Sequence, residues 1–112
     1  MDFAHYIGGE WVGDSDVTTN TSPANRDDVI GTYARGDAAR VDQAVSAALA
    51  AQPGWAAASP QLRHDVLERA GALIVERKDE LGRLLAREEG KTLAEAVGET
   101  VRASQVFKFF AG

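Results

Sequence analysis

The spacing of hydrophobic residues changes near residue 37, and this change divides the chain into two parts. Before it lie short runs rich in aromatic and β-branched residues, at 3–7, 10–12, 17–21 and 29–33, which are typical of strands. After it, apolar residues recur every three or four positions, as on one face of a helix. The pattern predicts a mainly α chain, with a short antiparallel β-hairpin region and turns over 1–36 and about four helices over 37–112.

Two adjacent glycines, Gly8 and Gly9, separate the first two apolar runs. A two-residue Gly-Gly connection between strands predicts a tight hairpin turn, because a type I′ turn needs positive φ at both positions. A phosphate-binding dinucleotide loop is the alternative, but it needs Gly-x-Gly-x-x-Gly opening a helix. The spacing here is Gly8, Gly9, Gly13 and no helical pattern follows, so the hairpin turn is favoured.

The segment "SPANRDD" at 22–28 predicts a polar turn between two further strands. The acidic clusters "DSD" and "RDD" on either side of it lack the longer series of oxygen ligands and the late glutamate of an EF-hand loop. A solvated turn is therefore favoured over a metal site.

Helix boundaries are marked by capping residues. Asp37 predicts the start of the first helix, and Pro53-Gly54 predicts its end. Ser59-Pro60 starts the second, which has a predicted Asp65–Arg69 ion pair. The apolar positions of these two helices are Val41, Ala44, Val45, Ala48 and Leu49, then Leu62, Val66, Leu67, Ala70, Leu73 and Ile74.

The third helix is predicted within "DELGRLLAREE", with Leu81, Leu84 and Leu85 inward, an Asp79–Arg83 pair and Gly90 as its stop. Thr92 and Glu95 have the spacing of a capping box at the head of the fourth. The apolar face predicted for that helix is formed by Leu93, Ala96, Val97, Val101, Ser104, Phe107 and Phe110.

Length and composition limit the classes of function. The chain of 112 residues is 45% hydrophobic, which fits a single globular domain. Its net charge of -5, with bases interleaved among acids, argues against nucleic-acid binding. It has no cysteine, no signal-peptide pattern and no apolar run near the roughly 20 residues of a membrane span. We therefore expect a cytoplasmic protein.

The candidate reactive residues form no recognisable constellation. His5 and His64 each lack a second ligand or a nucleophile at a helpful spacing, so both are interpreted as surface or packing residues. The charged run "REEGK" at 87–91 is interpreted as a helix end on the surface or at a domain junction, and Trp11 and Trp55 as packing anchors. No serine lies in a Gly-x-Ser-x-Gly elbow. The sequence predicts no catalytic, cofactor-binding or metal-ligating residue in this chain.

The order and spacing of these motifs resemble the amino-terminal segment of the aldehyde dehydrogenase superfamily. The resemblance rests on "YIGGEWV" at 6–12, "SPANRDDVIG" at 22–31, the run from 41 to 74, and "RKDELGRLLAREEGKTLAEAVGETVRASQVFKFFAG" at 77–112. Ser22-Pro23 replaces the family's frequent Asn-Pro. The last of these segments is similar to members that oxidise small acidic semialdehydes, such as 2-oxoglutarate semialdehyde.

The resemblance implies an α/β parent fold with a Rossmann-type cofactor domain, of which residues 1–112 are the amino-terminal part, and a catalytic domain that this chain lacks. Family enzymes oxidise an aldehyde to an acid with NAD or NADP, through a cysteine thiolate and a glutamate-activated water. Those residues are expected beyond Gly112, so this chain alone is expected to bind no cofactor and to be inactive. The implied partners are the remainder of the dehydrogenase chain and further copies of it in a homo-oligomer. Thr21 and Glu99 correspond only loosely to a structural monovalent-cation site of some members.

A free-standing helical protein-interaction module is the alternative from another class. Its contact surface would be formed by Phe107, Phe109 and Phe110 at the end of the last helix. An uncovered apolar face indicates either a partner surface or a missing part of the same protein. Continuation of the reading frame beyond Gly112 into a cysteine-containing segment would distinguish the two.

Overall fold

The computed structural model describes residues 2–112, which form five strands and four helices. The strands are β1 (Asp2–Phe3), β2 (His5–Ile7), β3 (Glu10–Val12), β4 (Val17–Thr21) and β5 (Val29–Ala34). The helices are α1 (Ala38–Ala57), α2 (Pro60–Glu76), α3 (Lys78–Glu89) and α4 (Leu93–Ala111). The mainly helical composition predicted from the sequence is confirmed.

Strands β2 and β3 form the predicted hairpin. They pair antiparallel from His5 opposite Val12 to Ile7 opposite Glu10. Gly8 and Gly9 connect them with φ angles of 63° and 88°. Both values lie in the region that glycine occupies without the steric cost a Cβ would bring. The two glycines therefore form a turn between strands, and the dinucleotide-loop alternative is wrong.

A second sheet, in the order β1-β5-β4, was only partly predicted. The β4–β5 pair is antiparallel, and its connecting turn is closed by the Ser22 backbone N–H donating to the Asp28 carbonyl at 3.0 Å. Strand β1 pairs in parallel with β5, Asp2 opposite Thr32. The predicted single run at 3–7 is thus two strands separated by Ala4, because its first residues pair with a strand that lies about thirty positions later.

Helix α1 begins at its predicted cap, where the Asp37 side chain accepts a hydrogen bond from the Arg40 backbone N–H at 2.9 Å. The predicted end at Pro53-Gly54 is wrong, since the helix continues through Pro53 to Ala57. A proline in a helix removes one intrahelical hydrogen bond and disturbs the preceding turn. That cost is local. The helix ends instead at the extended backbone of Ala58 and Ser59, and Pro60 favours the extended conformation at Ser59.

The remaining caps agree with the sequence. The Ser59 side chain accepts from the Leu62 backbone N–H, and α3 ends at Gly90 with a φ of 71°. Thr92 and Glu95 form both halves of the predicted capping box. Besides its positive φ, close packing also favours glycine at position 90, because a Cβ there would lie 2.9 Å from Cγ of Pro23.

The two ion pairs predicted within helices are wrong. Asp65 accepts a hydrogen bond from Gln61, and Arg69 lies 4.0 Å from Glu76. Asp79 pairs with its neighbour Lys78. All of these side chains are on the surface, where such pairs contribute little free energy and alternative partners compete.

Helices α2, α3 and α4 pack closely at small residues. The Ser104 hydroxyl of α4 is buried and donates to the Gly71 carbonyl of α2 at 2.8 Å. At the α3–α4 contact, a Cβ built on Gly82 would lie 2.5 Å from Cγ2 of Val97. Ala96 and Thr100 are buried in the same layer. Small side chains thus allow the three helices to approach one another with little apolar volume between them.

The chain forms a thin layer. Its extents are 48 × 36 × 16 Å, and its radius of gyration of 16.8 Å exceeds the about 13 Å expected for a compact domain of this length. Its accessible surface of 7927 Å² exceeds the about 5,900 Å² expected for a compact protein of its mass. Ile30 and Ala96 are the only fully buried hydrophobic residues among the described ones. None of the described helices combines the length and apolar character needed to cross a membrane.

Candidate functional site

The chain leaves many large apolar side chains exposed, and these form its candidate contact surfaces. On α1, Val41, Val45 and Leu49 are 59%, 51% and 68% exposed. These residues belong to the face predicted to pack inward, and α1 buries no residue at all. We name this set the α1 apolar face. The main contact of α1 within the described residues is beside this face, where Ala44 and Ala47 line a groove against the β2–β3 hairpin.

A second apolar region lies at the end of α4. An open groove of about 420 Å³ on this helix, which we name the α4 pocket, is lined by Arg102, Gln105, Val106, Phe109 and Phe110. Phe109 and Phe110 are 77% and 71% exposed, and their rings meet edge to face at 5.2 Å. All of the lining residues belong to α4, so the α4 pocket is an open, mainly apolar face of one helix.

The polar end of the α4 pocket is formed by Arg102 and Gln105. The guanidinium of Arg102 donates to the Gln105 side-chain oxygen at 3.2 Å. Arg40, Arg77 and Arg87, by contrast, each pair with a carboxylate within hydrogen-bonding distance. Among the residues that the structure describes, Arg102 makes no such ion pair, and no acidic residue lines the pocket.

A charged cluster ties the hairpin to α1. Asp14 accepts hydrogen bonds from His5 at 2.9 Å and from Nε of Arg40 at 3.1 Å. The hydrogen bond from Arg40 is the main reason that the pKa of Asp14 lies below its ordinary value; burial opposes it, and His5 lowers it further. His5 is thus a partner in an ion-pair cluster between two elements, which agrees with its interpretation as a packing residue.

The run "REEGK" forms a junction between α3 and the β1-β5-β4 sheet. Arg87 pairs with Asp28 through two hydrogen bonds of 2.9 and 2.6 Å, which hold the pKa of Asp28 below its ordinary value despite partial burial. Glu88 accepts from Asn20 at 3.2 Å and from the Tyr33 hydroxyl at 3.0 Å. Burial first, and then the hydrogen bond to Glu88, raise the pKa of Tyr33. These contacts join the end of α3 to the sheet within the described residues, and the interpretation of the run as a domain junction stays a prediction.

The other candidates are also engaged structurally. A ring nitrogen of His64 lies 2.9 Å from the carbonyl oxygen of Ala111, which links α2 to the end of α4. Glu99 accepts from Lys91 at 2.6 Å, and Thr21 lies exposed at the end of β4. No group of three or more histidines, cysteines or acidic residues within 2–112 is close enough together to hold a metal ion. The prediction that this chain contributes no catalytic or ligating residue stays a prediction.

Both tryptophans lie on the surface of the described residues. Trp11 is 74% exposed and contacts the Tyr6 ring at 4.8 Å on the hairpin surface, while Trp55 is 44% exposed. The described residues bury neither tryptophan, and the interpretation of both as packing anchors stays a prediction. They add to the apolar surface that the chain leaves uncovered.

The sequence analysis named Phe109 and Phe110 as apolar contact surface but missed the rest of the α4 pocket, because only one face of α4 was assigned. Residues 102, 105, 106, 109 and 110 follow the i, i+3, i+4, i+7, i+8 spacing of a second helix face. This face was not assigned because its first two residues, Arg102 and Gln105, are polar, although Val106, Phe109 and Phe110 continue it.

Comparisons with known proteins identify one family. The model for the "Aldehyde dehydrogenase family" matches residues 11–112. An alpha-ketoglutarate semialdehyde dehydrogenase of Haloferax volcanii is 39% identical over 95% of this chain and 22% of its own length. A betaine aldehyde dehydrogenase of Rhizobium etli is 39% identical over 97% of this chain and 23% of its own.

A solved structure of 1-pyrroline-5-carboxylate dehydrogenase from Thermus with bound NAD superposes on the chain with a TM-score of 0.95. It is 32% identical, and the match covers 98% of this chain and 21% of that one. The chain therefore spans about a fifth of the length of the relatives it matches.

Proposed function

Since this chain belongs to the aldehyde dehydrogenase family, we propose that it is the amino-terminal layer of an enzyme that oxidises an aldehyde to a carboxylic acid with NAD or NADP. The remainder of that enzyme covers the α1 apolar face and the α4 pocket. By the same family resemblance, the whole protein is a cytoplasmic homo-oligomer. Within the proposed enzyme, residues 1–36 form a hairpin and turns, and residues 37–112 form helices that pack against the cofactor domain.

The excess of exposed surface is the observation that carries this proposal. A compact protein of 11.9 kDa would expose about 2,000 Å² less than this chain does. The excess includes large side chains such as Leu49, Trp11 and Phe109, which water solvates poorly. A layer 16 Å thick with apolar residues on its faces resembles one layer of a larger α/β protein.

The substrate we propose is a small semialdehyde that carries a carboxylate. The Haloferax volcanii relative is named for alpha-ketoglutarate semialdehyde, and a Pseudomonas putida relative, 37% identical, for glutarate semialdehyde. The Rhizobium etli relative is named for betaine aldehyde, which is a cation. Sequence identity alone does not separate these substrates, and the charge of the substrate has to be decided by residues that line its site.

This chain by itself is proposed to be inactive. The family reaction needs a cysteine nucleophile, and the 112 residues contain none. The residues present do not form a dinucleotide cradle either, since the Gly8-Gly9 turn joins two strands and no Gly-x-Gly-x-x-Gly motif opens a helix. Catalytic and cofactor-binding groups are therefore assigned to the remainder of the enzyme.

The proposal is tested by reading the gene beyond codon 112 and assaying both forms of the protein. We expect the frame to continue into a cysteine-containing segment, and the longer protein to produce NADH or NADPH from a semialdehyde. The 112-residue chain, purified in parallel, should produce none above a blank. Aldehyde-dependent reduction of NAD or NADP by the short chain alone would refute its assignment as a non-catalytic layer.

The free-standing interaction module predicts different results. In that case the isolated chain would be monomeric with a cooperative melting transition, and a longer reading frame would lack a reactive cysteine. The exposure of Phe109 and Phe110 agrees with either function, so the two are separated by these measurements and not by exposure.

A further inference from the structure

We propose that the β2–β3 hairpin is a flap that closes on α1, and that Asp14 is the latch that holds it closed. The contacts that carry this inference lie within the described residues and are independent of the proposed dehydrogenase function. When the flap opens, α1 loses its main contact within the described residues, and the side that carries Ala44 and Ala47 is uncovered.

The hairpin has few other contacts that fix its position. Among the described residues its two strands pair only with each other, and neither strand buries a residue. A two-stranded hairpin alone is marginally stable in water, so its order depends on what it packs against. On the α1 side, the groove between the hairpin and the helix is lined by alanines alone, whose small side chains bury little apolar area.

Both connections of the hairpin leave it at the same end. Ala4 alone separates β1 from His5, and residues 13–16 lead from Val12 to β4. His5 is paired opposite Val12, and the Gly8-Gly9 turn lies at the far end, beside the alanines of α1. The hairpin is therefore tethered to the rest of the chain at one end, and at the other end it only rests on α1.

Asp14 joins the hairpin to α1 at the tethered end. Its carboxylate accepts hydrogen bonds from His5 of β2 at 2.9 Å and from Nε of Arg40 of α1 at 3.1 Å, and its other oxygen accepts a second hydrogen bond from the Arg40 guanidinium. The three side chains are between 22% and 25% exposed, so water competes only in part for these bonds. A two-point arginine–carboxylate pair is among the strongest hydrogen-bonded contacts in proteins.

The residue that precedes the cap of α1 leaves room for this cluster. A Cβ built on Gly36 would lie 3.3 Å from Cε1 of His5 and 3.4 Å from Cγ of Arg40. Glycine at this position therefore lets the His5 ring lie close against the start of α1. The closed flap is thus fixed by one polar cluster together with a close approach of the backbone.

The experiment measures hydrogen exchange of the 112-residue chain by mass spectrometry, in dilute solution to limit association. Asp14→Asn keeps the shape of the side chain and removes its charge, and Arg40→Met removes the partner on α1. Asp16→Asn is the matched control, because Asp16 lies in the same connection, is 69% exposed and is 4.0 Å from Arg35.

We expect Asp14→Asn to speed exchange in the peptide that covers residues 5–13 by about 10- to 100-fold, the range for losing a hydrogen-bonded charge partner. Exchange in α4 should stay within about twofold of the parent chain, which also shows that the variant is folded. Arg40→Met should repeat the effect on the hairpin, and the double variant should add little, because both changes break the same contact. Asp16→Asn should behave as the parent chain.

Several results would overturn the assignment. Equal exchange in the hairpins of Asp14→Asn and Asp16→Asn would show that Asp14 holds nothing that Asp16 does not. An equal rise in the hairpin and in α4 would show that Asp14 stabilises the whole chain and is no latch. An effect of Asp14→Asn that Arg40→Met does not reproduce would remove α1 from the contact, and a parent hairpin without protection from exchange would show that the flap is not closed.

Discussion

The effect of replacing Leu49 by aspartate distinguishes two hypotheses: that the chain is one layer of a larger enzyme, or that it is a free-standing module. In this chain the Leu49 side chain is 68% exposed, so Leu49→Asp removes little buried area and should change the stability of the isolated chain by less than about 1 kcal/mol. In the longer protein the same position is covered under our proposal. Losing the burial of a leucine and placing a carboxylate against apolar surface should then destabilise the protein by about 3–5 kcal/mol.

Leu49→Asp should also reduce the self-association of the isolated chain. About 2,000 Å² of surface beyond that of a compact protein is available for contacts between copies. We expect the purified chain to self-associate and to bind a hydrophobic dye, and Leu49→Asp to reduce both. Light scattering after size exclusion, dye fluorescence and urea unfolding followed by circular dichroism provide the three readouts.

The matched control is Ser46→Asp, which places the same charge on α1 at a position that is already polar and exposed. It should leave the stability of the longer protein within about 0.5 kcal/mol of the parent. The reasoning is refuted if Leu49→Asp is as harmless as Ser46→Asp in the longer protein. It is also refuted if the isolated chain is a monomer that binds no dye.

Three further predictions concern contacts within the layer. The first two are changes in the free energy of unfolding, measured by urea unfolding of the chain, and the third is a pKa measured by NMR. Gly82→Ala should destabilise by about 1–2 kcal/mol, because its Cβ would overlap α4 and the overpacking cost exceeds the gain in helix propensity. Gly98→Ala, whose Cβ meets nothing within 4 Å, should instead stabilise by about 0.5–1 kcal/mol, and equal effects would contradict the packing. Thr92→Ala should cost about 1 kcal/mol through loss of the capping box, and an unchanged midpoint would show that the box is dispensable. Arg87 lowers the pKa of Asp28 below its ordinary 3.8, so this pair stabilises the fold above that pH and its contribution is lost as pH falls through the folded-state pKa. NMR titration of Asp28 should show the low midpoint, and Arg87→Met should return it towards 3.8; an identical midpoint in both would refute the pairing.

Local signals account for the parts of the fold that were predicted correctly. The Gly8-Gly9 turn and the Thr92–Glu95 box are each decided by residues within four positions of one another, and the structure contains both. The end predicted at Pro53 failed because a proline weakens a helix without forbidding its continuation. Strand β1 was missed because its partner lies far along the chain, where no local pattern indicates pairing.

The candidate surfaces show what hydrophobic periodicity cannot predict. The spacing of Val41, Val45 and Leu49 correctly indicated an apolar face, but a period cannot state whether the surface that covers it belongs to the same 112 residues. Arg102 carried no signal of its own, since an arginine on a helix usually belongs to a solvated face. Only the fold shows that Arg102 adjoins the apolar side chains of Val106 and Phe109, on a surface that no acidic residue within 2–112 lines.

The parallel pairing of β1 with β5 has a consequence for synthesis on the ribosome. Asp2 and Phe3 leave the exit tunnel before their partners Thr32 and Tyr33, which follow thirty residues later. The β4–β5 pair can close through its own short turn in the meantime, since local contacts form fastest. Strand β1 therefore waits unpaired during synthesis until β5, the central strand of its sheet, has emerged.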